Sequence, residues 1–239
     1  IFMLDQSYTD KYFMQKVYLT LGKDFVSQVF SIEHLDGDGA PKTIQLRNET
    51  HTMDIVMNIE RGRGKKRRTK NVSFTPRIVV FNNTGSELLL KQAASEQQFV
   101  TLLDQTNEPF YWTEKMDVAR KLCFRYSDTE WTPPFCLHDL SNCVFKLKKR
   151  EDSERKSDVF VYVSLKNFVG TQCIEFRSVL NPPYMIENMT GYDITVGQVG
   201  VNDLFHVESK STLSFAWLDA GLERQRTVCI DRNHHNVIH

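Results

Sequence analysis

The sequence predicts an all-β protein built from tandem antiparallel β-sandwich modules with a period of about 106 residues. The first observation is a hairpin pattern over residues 74–92, where two apolar β-type runs flank an Asn-Asn-Thr-Gly turn. The second is its recurrence over residues 182–198, which places Asn188 on Asn82 at a spacing of 106. The third is composition, because 16 Phe, 8 Tyr and plentiful β-branched residues favour strands.

Further markers follow the hairpin at nearly the same spacing. An aromatic pair recurs after 105 residues, and an apolar segment with a central cysteine recurs after 106. The matched segments are Phe110 and Trp112 with Phe215 and Trp217, and 122–124 with 228–230. A fixed spacing of this kind indicates a repeat array. It predicts that residues 1–72 are the C-terminal part of one module, 73–180 a complete module and 181–239 the N-terminal part of the next.

The segments around the hairpins fit strands separated by polar turns. Residues 34–41 form a turn cluster, and its Asp-x-Asp-Gly pattern is not a calcium loop, because Arg47 stands where the bidentate acid belongs. Residues 114–121 fit a helical turn, but the repeat pairs the end of this segment with a β-type run. The expected strands, in chain order, are 13–19, 25–32, 43–46 and 53–59 before the first hairpin, and 143–147, 159–165 and 174–176 after it.

The most charged stretch of the chain runs from Arg61 to Lys70. It is not a phosphate-binding loop, because the glycine and the Ser/Thr that such a loop needs are misplaced. One interpretation is a solvated loop between strands, and the other is a contact to anionic lipid headgroups or to acidic partner segments. The residues that would make this contact are Arg61, Arg63, Lys65, Lys66, Arg67 and Arg68.

Composition excludes several classes of function. With 30 basic and 30 acidic residues the formal charge is zero, so no global field attracts nucleic acid or membrane. No apolar run reaches the roughly 20 residues of a membrane span. The five cysteines are odd in number and contain no CxxC pair, which favours reduced thiols and a cytosolic protein. Four glycosylation sequons, at Asn48, Asn71, Asn82 and Asn188, favour the opposite.

No active site is predicted. The seven histidines are scattered, and no catalytic, metal-binding or cofactor-binding motif occurs, which favours a protein that is not an enzyme and takes no small-molecule substrate. Asn82 and Asn188 are interpreted as structural residues of the repeated turns, because an Asn amide satisfies backbone groups there. The first residue is not a start Met, so we expect a piece of a longer protein.

The two repeated phrases, FTPRIVVFNNTGSELLLKQ and NPPYMIENMTGYDITVGQ, resemble the adaptor-binding domain of the vacuolar protein sorting-associated protein 13 family. That domain is a run of β-rich repeats, each built around one Asn, and Asn82 and Asn188 match its position. The resemblance implies a non-catalytic, cytoplasmic targeting region of a bridge-like lipid transfer protein. It would place the parent protein at organelle membrane contact sites by binding Pro-x-Pro motifs of adaptor proteins.

A Pro-x-Pro peptide would add as a strand to an exposed sheet edge. The strands predicted for this role contain Val159, Val161, Val163 and Leu165, and Ile174 and Phe176. The alternative function is a secreted or cell-surface tandem β-sandwich adhesion module. An immunoglobulin-type module would show Cys…Trp…Cys spacing, whereas Cys123 follows Trp112 and recurs once per module.

Overall fold

The computed structural model confirms the all-β fold. It describes residues 16–32, 40–49, 52–64, 69–93, 95, 99–112, 120–137, 142–151, 158–219, 222, 226–230 and 237–238. Over these residues the chain forms 22 strands, numbered β1 to β22, and no α-helix. The predicted turn cluster lies mostly outside the described residues, as do 113–119, but the chain resumes as a strand at Lys121–Arg125.

The chain divides into two compact units. The first contains residues 1–80, 108–118 and 166–173, and the second contains 81–107, 119–165 and 174–239. The three predicted modules are framed differently, by sequence period, and their boundaries remain a prediction.

The first unit contains a five-stranded antiparallel sheet, in which neighbouring strands pair in the order β2-β3-β5-β6-β7. Its strands are β2 Thr20–Leu21, β3 Phe25–Ser27, β5 Lys42–Arg47, β6 Thr52–Arg61 and β7 Lys70–Pro76, and a short pair is formed by β1 Lys16–Val17 and β4 Phe30–Ser31. Side chains alternate between the faces of a strand, so Ile44, Met57 and Ile59 share one face and form a buried cluster. The predicted strand 25–32 is therefore two strands rather than one.

Gly170 lies at a closely packed point of the first unit. Its φ of +84° is in the left-handed region, and a Cβ there would lie 2.8 Å from side-chain atoms of Pro41 and Val56. Arg77 Nη1 donates a hydrogen bond to the Gly170 carbonyl. Glycine is required here by conformation and by space at once.

A four-stranded sheet has the order β10-β9-β12-β13, and a five-stranded sheet has the order β11-β8-β16-β15-β14. The strands of the first are β9 Leu88–Gln92, β10 Phe99–Leu102, β12 Lys121–Arg125 and β13 Phe135–Cys136. Those of the second are β8 Ile78–Asn83, β11 Thr106–Phe110, β14 Cys143–Leu147, β15 Val159–Phe168 and β16 Thr171–Ser178. The hairpin predicted over 74–92 is therefore wrong, because its strands β8 and β9 lie in different sheets and do not pair. They form a β-arch, in which the turn carries the chain from one sheet to the other, and we call it the first β-arch.

Four fully buried Phe rings join these two sheets into a sandwich. Phe124 and Phe135 come from the four-stranded sheet, and Phe145 and Phe176 come from the five-stranded sheet. The ring centroid of Phe124 lies 5.2 Å from that of Phe145 and 4.9 Å from that of Phe176. Such edge-to-face pairs across two sheets form the core of a β-sandwich, as the sequence predicted.

The hairpin predicted over 182–198 is wrong in the same way, because its strands β17 and β18 also lie in different sheets. They form a second β-arch that repeats the arrangement of the first. A two-stranded sheet pairs β17 with β20, and a four-stranded sheet has the order β19-β18-β21-β22. The strands are β17 Tyr184–Glu187, β18 Ile194–Gln198, β19 Leu204–Val207, β20 Thr212–Phe215, β21 Arg226–Ile230 and β22 Val237–Ile238. The aromatic pairs also match: the Phe110 and Trp112 centroids are 5.4 Å apart, and those of Phe215 and Trp217 are 5.6 Å apart.

Asn82 organises the turn of the first β-arch from a fully buried position. Its Nδ2 donates to the carbonyls of Ser86 and Leu102, both at 2.8 Å. Its Oδ1 accepts from the Thr84 backbone N–H at 3.2 Å and from the Thr84 hydroxyl at 2.8 Å. One amide group therefore closes the turn after β8 and holds the end of β10.

Asn188 makes the same set of bonds in the second β-arch, and it is 1% exposed. Its Nδ2 donates to the carbonyls of Tyr192 and Val207, both at 2.9 Å, and also to that of Glu208. Its Oδ1 accepts from the Thr190 N–H at 3.0 Å and from the Thr190 hydroxyl at 2.7 Å. The partners stand 105 or 106 residues after those of Asn82.

The loop that returns to each Asn is also shared. Gln105 N–H donates to the Asn82 carbonyl at 2.7 Å, and Lys210 N–H donates to the Asn188 carbonyl at 2.9 Å. Both donors have a positive φ, 57° for Gln105 and 58° for Lys210. A positive φ is uncommon outside glycine, so its recurrence at matched loop positions indicates one backbone design used twice.

The sequence alignment of the two cysteine-containing strands is wrong by two residues. Cys123 lies opposite Lys91, whereas Cys229 lies opposite Thr195. Gly197 in the second β-arch is the equivalent of Lys91 in the first. Strand β21 is therefore shifted by two residues along β18 relative to the position of β12 along β9. A shift by two keeps every side chain on its own face, and the apolar pattern therefore cannot detect it.

We predict that Asn82→Ser and Asn188→Ser each lower the free energy of unfolding by about 1–3 kcal/mol. The N–H of Thr84 or Thr190 loses its Oδ1 acceptor, and the carbonyl of Leu102 or Val207 loses its amide donor. Denaturant unfolding of each variant measures this change. Asn83→Ser is the matched control, since Asn83 is exposed and its Nδ2 donates to Glu175 Oε1 at 3.1 Å. An Asn82 variant as stable as the Asn83 variant would contradict the structural role.

We also predict that Gly170→Ala destabilises the protein by about 1–3 kcal/mol, because backbone strain and overpacking add together. Gly22→Ala is the control: Gly22 has a φ of +64°, but nothing lies within 4 Å of its added Cβ. Equal loss of stability in the two variants would show that only the backbone conformation matters at Gly170.

Candidate functional site

The strands that the sequence singled out for peptide addition are interior strands. β15 lies between β14 and β16, and β16 lies between β15 and β8. Neither candidate strand is therefore terminal in its sheet. Alternation marks burial but does not show which strands are edges. Their side chains face the core: Val159, Val161, Val163, Ile174 and Phe176 are buried, and Leu165 is half-buried.

The basic segment joins β6 to β7 in the first unit. Arg61 lies opposite Lys70 in the strand register, and Gly62 N–H donates to the Thr69 carbonyl at 2.8 Å. Arg61 and Arg63 are exposed. The other four predicted contact residues, Lys65, Lys66, Arg67 and Arg68, lie outside the described residues.

The second unit offers a different edge, on strand β10. Within the described residues β9 is its sheet partner on one side and no strand pairs with the other. A hydrogen bond of 2.9 Å from Ala93 N–H to the Lys121 carbonyl fixes which residues of β9 bond towards β12. Since bonded and non-bonded pairs alternate along an antiparallel ladder, Lys91 bonds towards β12 and Leu90 bonds towards β10.

The same alternation fixes the groups on the open side of β10. Val100 lies opposite Leu90 and bonds to it, so Phe99 and Thr101 direct their N–H and C=O groups away from the sheet. Phe99 is 50% exposed and Val100 is 37% exposed. The edge therefore presents unpaired backbone groups beside accessible apolar side chains.

Trp131 lies over one face of this edge. Its ring centroid is 6.4 Å from that of Phe99, 4.7 Å from Lys91 Nζ and 4.9 Å from the Arg125 guanidinium carbon. Lys91 and Arg125 share this face because they stand two pairing positions apart on neighbouring strands. The result is an aromatic platform flanked by two cations.

A shallow cavity of about 500 Å³ adjoins the platform and is lined by Arg125, Glu130, Trp131, Arg150 and Glu151. Arg125 Nε is buried and has no hydrogen-bond partner in the part of the chain that the structure describes. Glu130 lies 3.6 Å from Lys148 Nζ. A buried donor without an acceptor is uncommon in a folded protein and marks this cavity as a candidate binding site.

Two titratable groups near the edge have shifted pKa values. Burial raises the pKa of the Cys123 thiol, and the charge of Lys91 offsets part of that rise. A hydrogen bond and charge attraction from Asp203, with a smaller contribution from Glu130, raise the pKa of Lys148. Cys123 is therefore a protonated thiol at neutral pH, which makes it a poor nucleophile.

Strand β19, which is the equivalent of β10 beside the second β-arch, has a different surface. β19 is the terminal strand of its sheet, and Leu204 takes the place of Phe99 there. A Cβ added to Gly197, the equivalent of Lys91, would lie 2.6 Å from Leu204 Cδ2. Leu204 thus covers the position where β9 carries a cation, so this edge has no equivalent of the Lys91 charge.

The sequence did not single out Phe99, Lys91, Arg125 or Trp131. Among the described residues, no three or more His, Cys, Asp or Glu side chains are grouped so that they could hold a metal ion. Over the same residues, no helix has the length and apolar character needed to cross a membrane.

Comparison with known proteins identifies the family. The family model described as "Vacuolar-sorting associated protein 13, adaptor binding domain" matches residues 6–219. The chain is 23% identical over 197 residues to the intermembrane lipid transfer protein vps13E of Dictyostelium discoideum, covering 76% of this chain and 5% of that protein.

Two further relatives are intermembrane lipid transfer proteins. VPS13D of Homo sapiens is 25% identical over 207 residues, covering 80% of this chain and 5% of that protein. VPS13 of Chaetomium thermophilum is 21% identical over 209 residues, covering 81% and 6%. The chain thus spans a small part of the length of these relatives. The match over residues 6–219 shows that the chain belongs to the adaptor binding domain family of vacuolar-sorting associated protein 13.

Proposed function

We propose that this domain binds Pro-x-Pro segments of adaptor proteins by adding them as a strand to the open edge of β10. In this function it is a non-catalytic targeting region in the cytoplasm. Adaptor binding would hold a longer lipid transfer protein at membrane contact sites. The observation that carries the proposal is the pairing-competent edge at Phe99 and Thr101 with the aromatic platform beside it.

Proline chemistry suits a terminal strand. In an extended chain, residues two positions apart direct their backbone groups to the same side. Both prolines of Pro-x-Pro therefore turn their ring nitrogens, which have no N–H, away from β10, and the central residue pairs with the edge. The preset φ of proline also lowers the entropy lost when the peptide becomes ordered.

The exposed apolar groups provide the packing for such a peptide. Phe99 and Val100 stand on opposite faces of β10, since they are neighbours in a strand. Each face of an added strand would therefore have an apolar contact at the edge. The exposed Arg61 and Arg63 of the other unit would contribute salt-sensitive attraction to acidic partner segments or anionic lipid.

We predict that replacing both prolines of a labelled Pro-x-Pro peptide with Ala weakens binding on the order of tenfold, because the preset φ angles and the ring contacts are lost. Fluorescence anisotropy titrations measure the Kd of both peptides. Methylating the backbone nitrogen of the central residue should weaken binding as well, since it blocks the pairing N–H. Equal affinity of the Pro and Ala peptides would contradict the proposal.

We further predict that Thr101→Pro abolishes peptide binding while the ladder between β9 and β10 remains, because the N–H of Thr101 points away from β9. His206→Pro is the matched control, since His206 holds the same place on β19 in the register with β18. Thermal melts of the two variants show whether each remains folded. Loss of binding in the His206 variant alone would show that the peptide binds at β19 instead of β10.

A further inference from the structure

We infer that the partner peptide lies antiparallel to β10 and carries an acidic side chain at a position alternating with its two prolines, where it pairs with Arg125 and Lys91. The inference rests on the proposed function and adds the charge and the direction of the bound segment. It is carried by the surroundings of the open edge: two cations and one aromatic ring lie on a single, known face of the sheet.

The register fixes which side chains of an added strand reach that face. In an antiparallel pair, residues directly opposite each other have side chains on the same face. The central residue of Pro-x-Pro pairs with Phe99 or Thr101, because only these two residues direct backbone groups outwards. Its side chain therefore lies on the face of Trp131, together with those of the residues that flank the two prolines.

The prolines lie on the opposite face, beside Val100. There Val100 is 37% exposed, and its neighbours Leu90 and Leu102 belong to the core. Two rings would extend the core at its rim and cover the accessible part of Val100. Apolar packing and charge recognition are thus separated onto the two faces of one added strand. A parallel strand would exchange the two faces, and antiparallel pairing is the pattern of the whole β10-β9-β12-β13 sheet.

The electrostatics of the Trp131 face favour an acidic group. Arg125 and Lys91 are not in an ion pair with any described carboxylate, although each contacts the ring of Trp131. Arginine presents its donors in a planar fork that matches a carboxylate, and stacking on Trp131 holds that fork in place.

The carboxylates of the cavity restrict where the acid is useful. Glu130 and Glu151 line the cavity together with Arg125. Lys148 Nζ is 3.6 Å from Glu130 and 3.3 Å from Asp203, which offsets part of their charge. Lys91 lies directly opposite Phe99 in the register, so an acid close to Phe99 is placed beside a cation. The preferred position is therefore on the residues opposite or next to Phe99 and Thr101.

The experiment compares two Pro-x-Pro peptides of equal length and charge against the whole domain. In one peptide, Glu occupies both residues that flank the prolines; in the other, each Glu is moved one position outwards, onto the face of the prolines. We expect the first peptide to bind roughly three- to tenfold more tightly at low salt, with the difference shrinking as salt is added. Fluorescence anisotropy at two salt concentrations measures this ratio.

Two variants assign the effect to the site. Arg125→Gln should remove most of the difference between the peptides. Arg177→Gln should leave it, because Arg177 stacks on Tyr162 at 5.0 Å in the same way but lies on the other sheet. A melt of each variant confirms that it is folded.

Three results would overturn the inference while the proposed function stands: equal affinity of the two peptides, preference for the outer Glu residues, or a preference that survives Arg125→Gln. A preference for the outer positions would indicate parallel addition. If neither peptide binds more tightly than its proline-to-alanine version, the proposed function is refuted and the inference is refuted with it.

Discussion

The fold depends on a buried carboxamide at the end of the first strand of each β-arch. Asn82 and Asn188 each supply donors to two or more carbonyls and an acceptor to one residue of the turn. Without Asn82, the buried N–H of Thr84 would lose its acceptor, and an unpaired buried group costs about 1–3 kcal/mol. Because Asn82 bonds to the carbonyl of Leu102, the last residue of β10, the same amide also positions the open edge. Loss of this Asn would therefore also disturb the edge that we propose as the binding site.

The two β-arches have the same backbone design but carry different surfaces. Their Asn bonds, return loops and Phe–Trp pairs match, yet Lys91 and Phe99 on one correspond to Gly197 and Leu204 on the other. The buried side of each β-arch is constrained by hydrogen bonds and packing. The exposed side chains on the terminal strands β10 and β19 have no such constraint. Differences between repeats in this family are therefore expected on the outer faces of terminal strands, and function must be argued from those faces.

The sequence predicted the strands, the sandwich and the turns at Asn82 and Asn188, because these depend on local turn chemistry and on alternation. It was wrong that the strands on either side of each turn pair as a hairpin, since alternation does not show that the turn carries the chain to the other sheet. It also did not predict which strands are terminal: β15 and β16, the candidates for peptide addition, are strongly apolar because they are interior. It also missed Trp131, whose partners Lys91 and Arg125 come from two different strands. Only the register of β9 with β12 brings them to one face. The shift of Cys229 by two residues was undetectable for the same reason, since pairing partners are not written in a periodic pattern.

An open edge with exposed Phe99 and Val100 can pair with any extended chain, so the edge that we propose as a binding site is also a liability. The cations of Lys91 and Arg125 oppose pairing with a strand that carries positive charge on the Trp131 face. A bound Pro-x-Pro strand, as we propose, would remove the remaining risk, because its outer side lacks both proline N–H groups and offers a poor template for a further strand. Such a partner would end the sheet instead of extending it. In the proposed function, recognition of two prolines and protection of the edge against aggregation would both follow from the same missing hydrogen-bond donors.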